Sequence, residues 1–297
     1  MPEQAAQRHS RGRHIDTRAL MQIRSLELRA RVVVQGFWSG LHRSPYHGFS
    51  VEFTEYRQYV PGDDPRFVDW RVFARSDRYY IKKFEDETNL RCHLLLDQSR
   101  SMTFGSLNWT KADYAHTLAA TLAYFLFQQG DAVGLLSFDE GIRDYLPARN
   151  RLGHLRQLML ALEKPAAGRA TSIAKPLRRI VELVNKRGLM VLISDLLAPV
   201  EELEAQLGQL TASGHEVVVI RVLDPAEINF DFDESVIFHD AENEKDLFID
   251  PNSARQNYLR RFAEHGDAAR AVCQKLGVEY LTITTDQPLD RLLFDFL

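Results

Sequence analysis

The segment "HLLLDQSRSM", residues 93–102, places an aspartate and two serines directly after an apolar run. Asp97, Ser99 and Ser101 alternate along the chain, so a tight loop can direct three oxygen groups toward one point. Carboxylate and hydroxyl oxygens, without imidazole or thiolate, suit Mg²⁺ or Mn²⁺ better than Zn²⁺. The spacing therefore predicts a divalent-ion site, although Asp and Ser also satisfy backbone amides in an ordinary turn or helix cap.

Two further oxygen groups stand at matching positions later in the chain. Asp195 ends the apolar run "LMVLISD", and Thr171 begins the predicted helix of "RATSIAKPL", with Ser172 as its substitute. In open α/β sheets, ligands bind beyond the carboxyl ends of the strands. The three segments can therefore converge on one edge of a sheet.

Short apolar runs alternate with longer amphipathic segments from about residue 91 onward, which is typical of βαβ units. The near-continuous Val, Ile and Leu content of the runs favours strands that are covered on both faces, as in a parallel sheet. A doubly wound, mainly parallel α/β domain follows, with an antiparallel edge strand at 141–150 and a hairpin at 235–251. The predicted strands are 92–97, 132–138, 189–194, 215–223 and 278–283, and the predicted helices are 111–129, 153–162, 172–185, 200–213 and 253–276.

The combination of Asp-x-Ser-x-Ser, a threonine in a second loop and an aspartate after a third strand resembles the von Willebrand factor A domain. That family binds a metal ion at a metal-ion-dependent adhesion site (MIDAS). The resemblance implies that Ser99, Ser101 and Thr171 supply hydroxyl ligands, directly or through water. It also implies that Asp97 and Asp195 hold the Mg²⁺ or Mn²⁺ ion mostly through waters.

A second resemblance lies in the preceding module, "SGLHRSPYHGFSVEFTEYRQYVPGDDPRFVDWRVFAR". Its Glu-Phe, Arg-x-Tyr, Gly-Asp-Asp, Asp-Trp and Ala-Arg elements are similar to the hallmark of the bacterial family called domain of unknown function fifty-eight. Members of that family are associated with MoxR-type AAA+ ATPases in chaperone-like maturation of client proteins or metal insertion. The resemblance therefore implies a MoxR-type AAA+ ATPase and an unidentified client protein as partners.

These patterns divide the chain into four segments. Residues 1–35 are predicted to be a basic helix or tail, and seven arginines lie within the first 31 positions. Residues 36–90 are read as a small β-rich module, with Pro and Gly as turn markers. Residues 91–285 form the von Willebrand factor A-like domain, and residues 286–297 a C-terminal helix or tail.

Composition excludes several classes of function. The formal charge of −4 gives no basic field for nucleic acid. No stretch approaches the roughly 18 to 20 consecutive apolar residues of a membrane-spanning helix, and the N-terminus lacks the apolar core of a secretory signal. Cys92 and Cys273 have no metal-binding spacing and are expected to be reduced thiols. A cytoplasmic protein is expected.

Three functions remain open from the residues. The favoured one is a non-enzymatic, Mg²⁺-dependent protein-binding adaptor, because neutral hydroxyls leave an ion electron-poor and ready for a partner's carboxylate. The second is a metal-dependent hydrolase with Asp97 and Asp195 as ligands and Asp63 or Asp64 of "GDDP" as base. The third is a structural scaffold whose site is empty. The sequence contains no Gly-x-Ser-x-Gly elbow and no phosphate loop.

Overall fold

The computed structural model describes residues 14–41, 56–58, 79–82, 90–166, 173–184, 186–230, 236–239, 246–249 and 251–296. The chain divides into two units, one formed by residues 1–41 with 90–297 and the other by residues 42–89. In the second unit, β1 (Tyr56–Gln58) and β2 (Tyr80–Lys82) pair antiparallel. The rest of the predicted β-rich module lies outside the described residues.

The larger unit contains a six-stranded sheet. Its strand order is β10-β7-β6-β3-β4-β5, and each neighbouring pair is parallel except β4 and β5. A separate antiparallel pair joins β8 to β9. The predicted doubly wound, mainly parallel α/β fold is confirmed, and the strands follow the predicted ranges closely. Their bounds are β3 (Arg91–Asp97), β4 (Ala132–Phe138), β5 (Ile142–Arg149), β6 (Leu189–Ser194), β7 (Glu216–Leu223), β8 (Val236–His239), β9 (Asp246–Ile249) and β10 (Glu279–Thr284).

Helices connect the parallel strands and cover both faces of the sheet. None of the helices in the described part of the chain is long and apolar enough to cross a membrane. A short 3₁₀ helix at Arg100–Thr103 follows β3. The α-helices are α1 (Thr17–Met21), α2 (Leu26–Leu41), α3 (Lys111–Gln128), α4 (His154–Leu162), α5 (Ala174–Leu183), α6 (Val200–Ala212), α7 (Pro225–Asn229), α8 (Pro251–Leu276) and α9 (Leu289–Phe296).

The central strand β3 shows why the strands read as continuous apolar runs. Leu94 and Leu96 face the cluster that contains Leu118 of α3, whereas Leu95 faces the opposite cluster with Leu207 of α6. Successive side chains of a strand point to opposite faces, so burial of both faces requires apolar residues at every position. The alternation of β3 between two cores is therefore the origin of "LLL" before Asp97.

The N-terminal segment packs against α3 and α9 through α2. Val33 and Phe37 are buried, and the Phe37 ring meets Phe125 of α3 edge-on at 5.8 Å between centroids. Arg29 donates hydrogen bonds to the Thr117 hydroxyl and to two backbone carbonyls. The helix continues to Leu41, so the segment boundary predicted after residue 35 falls inside it.

The connections that leave β3 and β6 diverge. The chain passes from β3 to β4 on one side and returns to β6 on the other side of β3. The next helix after β3, α3, packs in one core, and the next helix after β6, α6, packs in the other. Such a switch point opens a crevice at the carboxyl ends of the two strands. Asp97 ends β3 and Asp195 directly follows β6, and both side chains are buried.

Candidate functional site

The carboxyl ends of β3 and β6 lie side by side, because Leu96 pairs with Ile193 in parallel register. Ser194, the last residue of β6, donates a hydrogen bond from its hydroxyl to Asp97 Oδ2 at 2.6 Å. Asp195 follows directly, and its charge is near enough to raise the pKa of Asp97. The fold thus brings the two aspartates of the sequence analysis into one buried group.

The loop after β3 turns both serine hydroxyls toward each other. Asp97 Oδ1 accepts a hydrogen bond from the Ser99 backbone N–H at 2.8 Å, which closes a tight turn. Ser99 Oγ lies 3.0 Å from Ser101 Oγ, with Ser99 buried and Ser101 half-buried. The Ser99 side chain makes no capping hydrogen bond, and α3 is capped instead by Thr110 with Asp113. The Ser99 hydroxyl is therefore not used as a helix cap.

The ionised form of Asp97 is disfavoured by its surroundings. Burial raises the pKa of Asp97 to about 6, and the neighbouring charge of Asp195 adds to this effect. Hydrogen bonds from Ser194 and Ser99 act in the opposite direction but do not cancel it. A cation beside Asp97 would favour its ionised form. The electrostatics of the loop therefore favour a bound positive charge.

Asp195 already has such a charge beside it. Lys111, the first residue of α3, donates from Nζ to Asp195 Oδ2 at 2.8 Å and to Glu227 Oε1 at 2.5 Å. The side chains of Lys111 and Asp195 are both 0% exposed. Burial alone would lower the pKa of Lys111, but the two carboxylates outweigh burial and raise it. Lys111, Asp195 and Glu227 thus form a buried ion triad.

Lys111 and Glu227 were not predicted from the sequence. One signal for Lys111 was available, since a positive charge in the first turn of a helix opposes the helix dipole and needs a compensating reason. Glu227 is the third residue of α7 and accepts from the Asp224 backbone N–H, as a capping box predicts. Its second oxygen, toward Lys111, is a tertiary contact that no local pattern encodes.

The backbone after β6 is fixed from two sides. Arg221 Nε donates to the Asp195 carbonyl at 3.1 Å, and His265 Nε2 donates to the Leu196 carbonyl at 2.7 Å. Leu196 has a φ of 57°, a left-handed conformation that is unfavourable for a leucine. The Ser194 hydroxyl accepts the Leu196 backbone N–H at 3.0 Å. These contacts hold Asp195 in its position toward Lys111.

Several predicted site residues lie outside the described residues. They are Thr171, its substitute Ser172, and the two aspartates Asp63 and Asp64 of the alternative hydrolase. Among the residues that the structure does describe, no group of three or more His, Cys, Asp or Glu side chains could hold a metal ion. A hydroxyl-rich site has a different donor set, and Asp97, Ser99 and Ser101 offer the hard oxygens that Mg²⁺ uses. The oxygen donors of those three residues suit Mg²⁺, whereas the Asp195 carboxylate is already ion-paired with Lys111.

Three residues that contact or adjoin this group expose large apolar side chains. Phe104 is 37% exposed, and its ring centroid lies 5.9 Å from Lys111 Nζ. Leu197 is 42% exposed, and its backbone N–H lies 3.4 Å from Asp195 Oδ1. Ile228, 36% exposed, follows Glu227 directly. We call Phe104, Leu197 and Ile228 the apolar rim.

Family comparison identifies the chain. The family model described as "Protein of unknown function DUF58" matches residues 55–268. The chain belongs to the DUF58 family. This confirms the family resemblance noted in the sequence. DUF58 relatives include uncharacterized proteins Rv1480 of Mycobacterium tuberculosis and Mb1516 of Mycobacterium bovis, each 30% identical over 284 residues, covering 93% of this chain and 88% of the relative.

Solved structures with a similar fold share little sequence with this DUF58 chain. An aerotolerance-related membrane protein from Bacteroides fragilis is 17% identical, covering 69% of this chain and 97% of that one, with a TM-score of 0.47. BatB from Bacteroides thetaiotaomicron is 15% identical, with 69% and 98% covered and a TM-score of 0.41. The SpRpn10 VWA domain is 15% identical, with 69% and 95% covered and a TM-score of 0.40.

Proposed function

We propose that the crevice at the carboxyl ends of β3 and β6 is a Mg²⁺-dependent protein-binding site of the MIDAS type. The observation that carries the proposal is the pair of serine hydroxyls 3.0 Å apart above the buried Asp97 carboxylate. Ser99 and Ser101 would hold the ion directly, with Asp97 behind them and Thr171 as a further hydroxyl. Mn²⁺ has the same preference for oxygen ligands and would substitute for Mg²⁺.

The donor set favours binding of a partner's carboxylate. When bound, the ion supplies an electron-poor coordination position, because two of its proposed ligands are neutral hydroxyls. An Asp or Glu side chain of a partner protein is a suitable sixth ligand for such an ion. The role proposed for this chain's residues is to hold the ion and to leave that position open.

The apolar rim supports a protein as the partner. Phe104, Leu197 and Ile228 expose large apolar side chains near a polar, buried centre. Exposed apolar groups around a small number of directed polar contacts are typical of protein interaction sites. We propose a partner segment in which an acidic side chain is flanked by apolar residues.

The surroundings of the crevice favour a binding role over catalysis. A hydrolase needs a positioned general base as well as a metal ion. Asp195 and Glu227 are both ion-paired to Lys111, and His265 is hydrogen-bonded to a backbone carbonyl. Each of these groups in the described part of the chain is therefore engaged by the protein itself. A non-enzymatic adaptor is the function proposed.

We propose a MoxR-type AAA+ ATPase as the partner class, with chaperone-like maturation of a client protein as the process. This part of the proposal rests on the family resemblance in the sequence. The formal net charge of −4 gives no basic excess that would favour nucleic acid over a protein as the partner.

Affinity purification from the native host tests the proposal. The wild type is compared with Ser101→Ala in Mg²⁺ and in EDTA. Thr103→Ala is the matched control, because Thr103 belongs to the same 3₁₀ helix and its exposed hydroxyl donates only to the Arg100 carbonyl. We expect an AAA+ ATPase to be retained in Mg²⁺ by the wild type and by Thr103→Ala, and to be lost with Ser101→Ala or EDTA. Retention that is insensitive to both the variant and the chelator would refute the metal-dependent site.

A further inference from the structure

Lys111 is a fully buried cation beside the carboxyl ends of β3 and β6. It is 0% exposed, and its ammonium contacts Asp195 at 2.8 Å and Glu227 at 2.5 Å. A buried lysine is rare because its charge must leave water, and such a group persists when it is paired. Its place in the first turn of α3 also opposes the helix dipole. Desolvation of the ammonium and its interaction with the helix dipole both disfavour a lysine at this position.

The Lys111 ammonium contacts a carboxylate of the predicted metal site. Lys111 Nζ binds Asp195 Oδ2, an oxygen of the carboxylate that the sequence predicts as a ligand of the divalent ion. The other oxygen, Oδ1, has a weaker contact, with the Leu197 backbone N–H at 3.4 Å. A carboxylate shared with an ammonium is a poorer ligand for a metal ion, because its charge is already neutralised and the two cations repel.

We propose that Lys111 is an internal cation that competes with the divalent ion for Asp195 and thereby sets the affinity of the site. The inference rests on the proposed function, since it concerns the same ion. Glu227 takes part as the second anchor of the ammonium, which keeps Lys111 beside Asp195. A divalent ion in wild-type protein would therefore rely chiefly on Asp97, Ser99 and Ser101.

A purely structural role for Lys111 makes a different prediction. If the triad only holds α3 and α7 against β6, its removal lowers stability but leaves ion affinity unchanged. Competition instead predicts tighter ion binding when the ammonium is removed. Ion affinity and stability are separate measurements, so the two roles can be distinguished.

Charge-matched variants isolate the competition. Lys111→Met removes the ammonium but leaves the carboxylates of Asp195 and Glu227 both without a counter-ion. The double variant Lys111→Met/Glu227→Gln removes one positive and one negative charge, so the summed charge of the triad stays at −1 as in the wild type. Tighter ion binding by the double variant then reports the release of Asp195. Adding Asp195→Asn to the double variant should remove the gain.

The experiment is a titration of the full chain with Mn²⁺, followed by the electron paramagnetic resonance signal of the free ion. Circular dichroism and thermal unfolding verify that each variant is folded. We expect Lys111→Met/Glu227→Gln to bind Mn²⁺ at least about tenfold more tightly than the wild type, which corresponds to about 1.4 kcal/mol. The triple variant with Asp195→Asn should return toward the wild-type affinity.

The outcomes separate the inference from the proposed function. Equal affinities of the wild type and the folded double variant overturn competition and leave the metal-dependent site standing. Tight binding by the double variant with none by the wild type supports competition but overturns Mg²⁺ dependence in the native protein. Absence of Mn²⁺ binding in all folded variants overturns both.

Discussion

Removal of the Lys111 ammonium should strongly destabilise the protein in the absence of metal. The Lys111→Met substitution keeps the length of the side chain but leaves two buried carboxylates without their shared counter-ion. Asp195 is fully buried and Glu227 is 13% exposed. Removing one partner of a buried ion pair typically costs about 3 to 5 kcal/mol, because the remaining charge is uncompensated. We expect a loss in this range.

The second substitution is expected to restore part of the loss. Glu227→Gln in the Lys111→Met background removes one of the two uncompensated charges, and contacting residues usually show coupling energies of about 0.5 to 3 kcal/mol. The double variant should therefore be more stable than Lys111→Met alone. Recovery of stability by removal of a second charged group would be the evidence that the three residues act as one unit.

Urea denaturation at pH 7.5 in EDTA measures these effects. Lys275→Met is the matched control, since Lys275 also pairs with a glutamate, Glu204, at 2.6 Å, but its side chain is 71% exposed. Exposed pairs of this kind contribute little, so its transition should overlap that of the wild type. A Lys111→Met transition that also overlaps the wild type would show that the buried triad does not stabilise the fold.

Three further predictions concern pH and packing. Burial raises the pKa of Asp97 from 3.8 to about 6, so Mg²⁺ must displace a proton from Asp97 below that pH. Thermal scans should therefore show that stabilisation by Mg²⁺ declines between pH 7 and pH 5. Without the ion, protonated Asp97 contributes stability that is present below pH 3.8 and lost as pH rises through about 6. Stabilisation by Mg²⁺ that grows toward low pH would contradict Asp97 as a ligand of the ion. Burial lowers the pKa of His93 and of His116 from 6.5 to about 4. The free energy of unfolding should therefore fall as pH drops from 6.5 to 4, by about 3 kcal/mol for each group. The variant His93→Gln/His116→Gln should show a smaller change of denaturation midpoint over this pH range. Phe37→Ala should lower the free energy of unfolding by about 3 to 5 kcal/mol, because Phe37 of α2 is buried against α3 and α9. A loss below about 1 kcal/mol would mean that α2 does not dock as described.

The strands were predictable because burial on two faces leaves a strong local signal. Residues 132–138 and 189–194 were predicted as strands and are strands over those same positions. The boundary predicted at residue 36 rested on a change in residue composition, which does not show where a helix ends. In the fold, α2 continues through Gly36, and a Cβ there would lie 2.6 Å from Ile15 Cδ1. The glycine permits close packing of α2 rather than ending it.

The candidate site was predictable only in part. Asp97, Ser99 and Ser101 share one loop, so their convergence follows from local spacing. Asp195 follows from the end of the neighbouring strand, but its ion pair does not, because Lys111 reaches it from 84 positions earlier in the chain. Polar groups meet in a buried network only through the tertiary fold. Charge pairing of this kind is what the sequence pattern alone leaves out.

Anomalous diffraction from a crystal grown with Mn²⁺ can locate a divalent ion bound at the serine pair. We expect an anomalous peak about 2.1 Å from the hydroxyls of Ser99 and Ser101, which is the distance of small hard cations from oxygen ligands. Asp97 should lie behind those two serines. The same crystal form of Ser101→Ala should show the peak weakened or absent. A wild-type crystal with Mn²⁺ at other positions only, or with no peak at the carboxyl end of β3, would show that the serine pair does not bind a divalent ion.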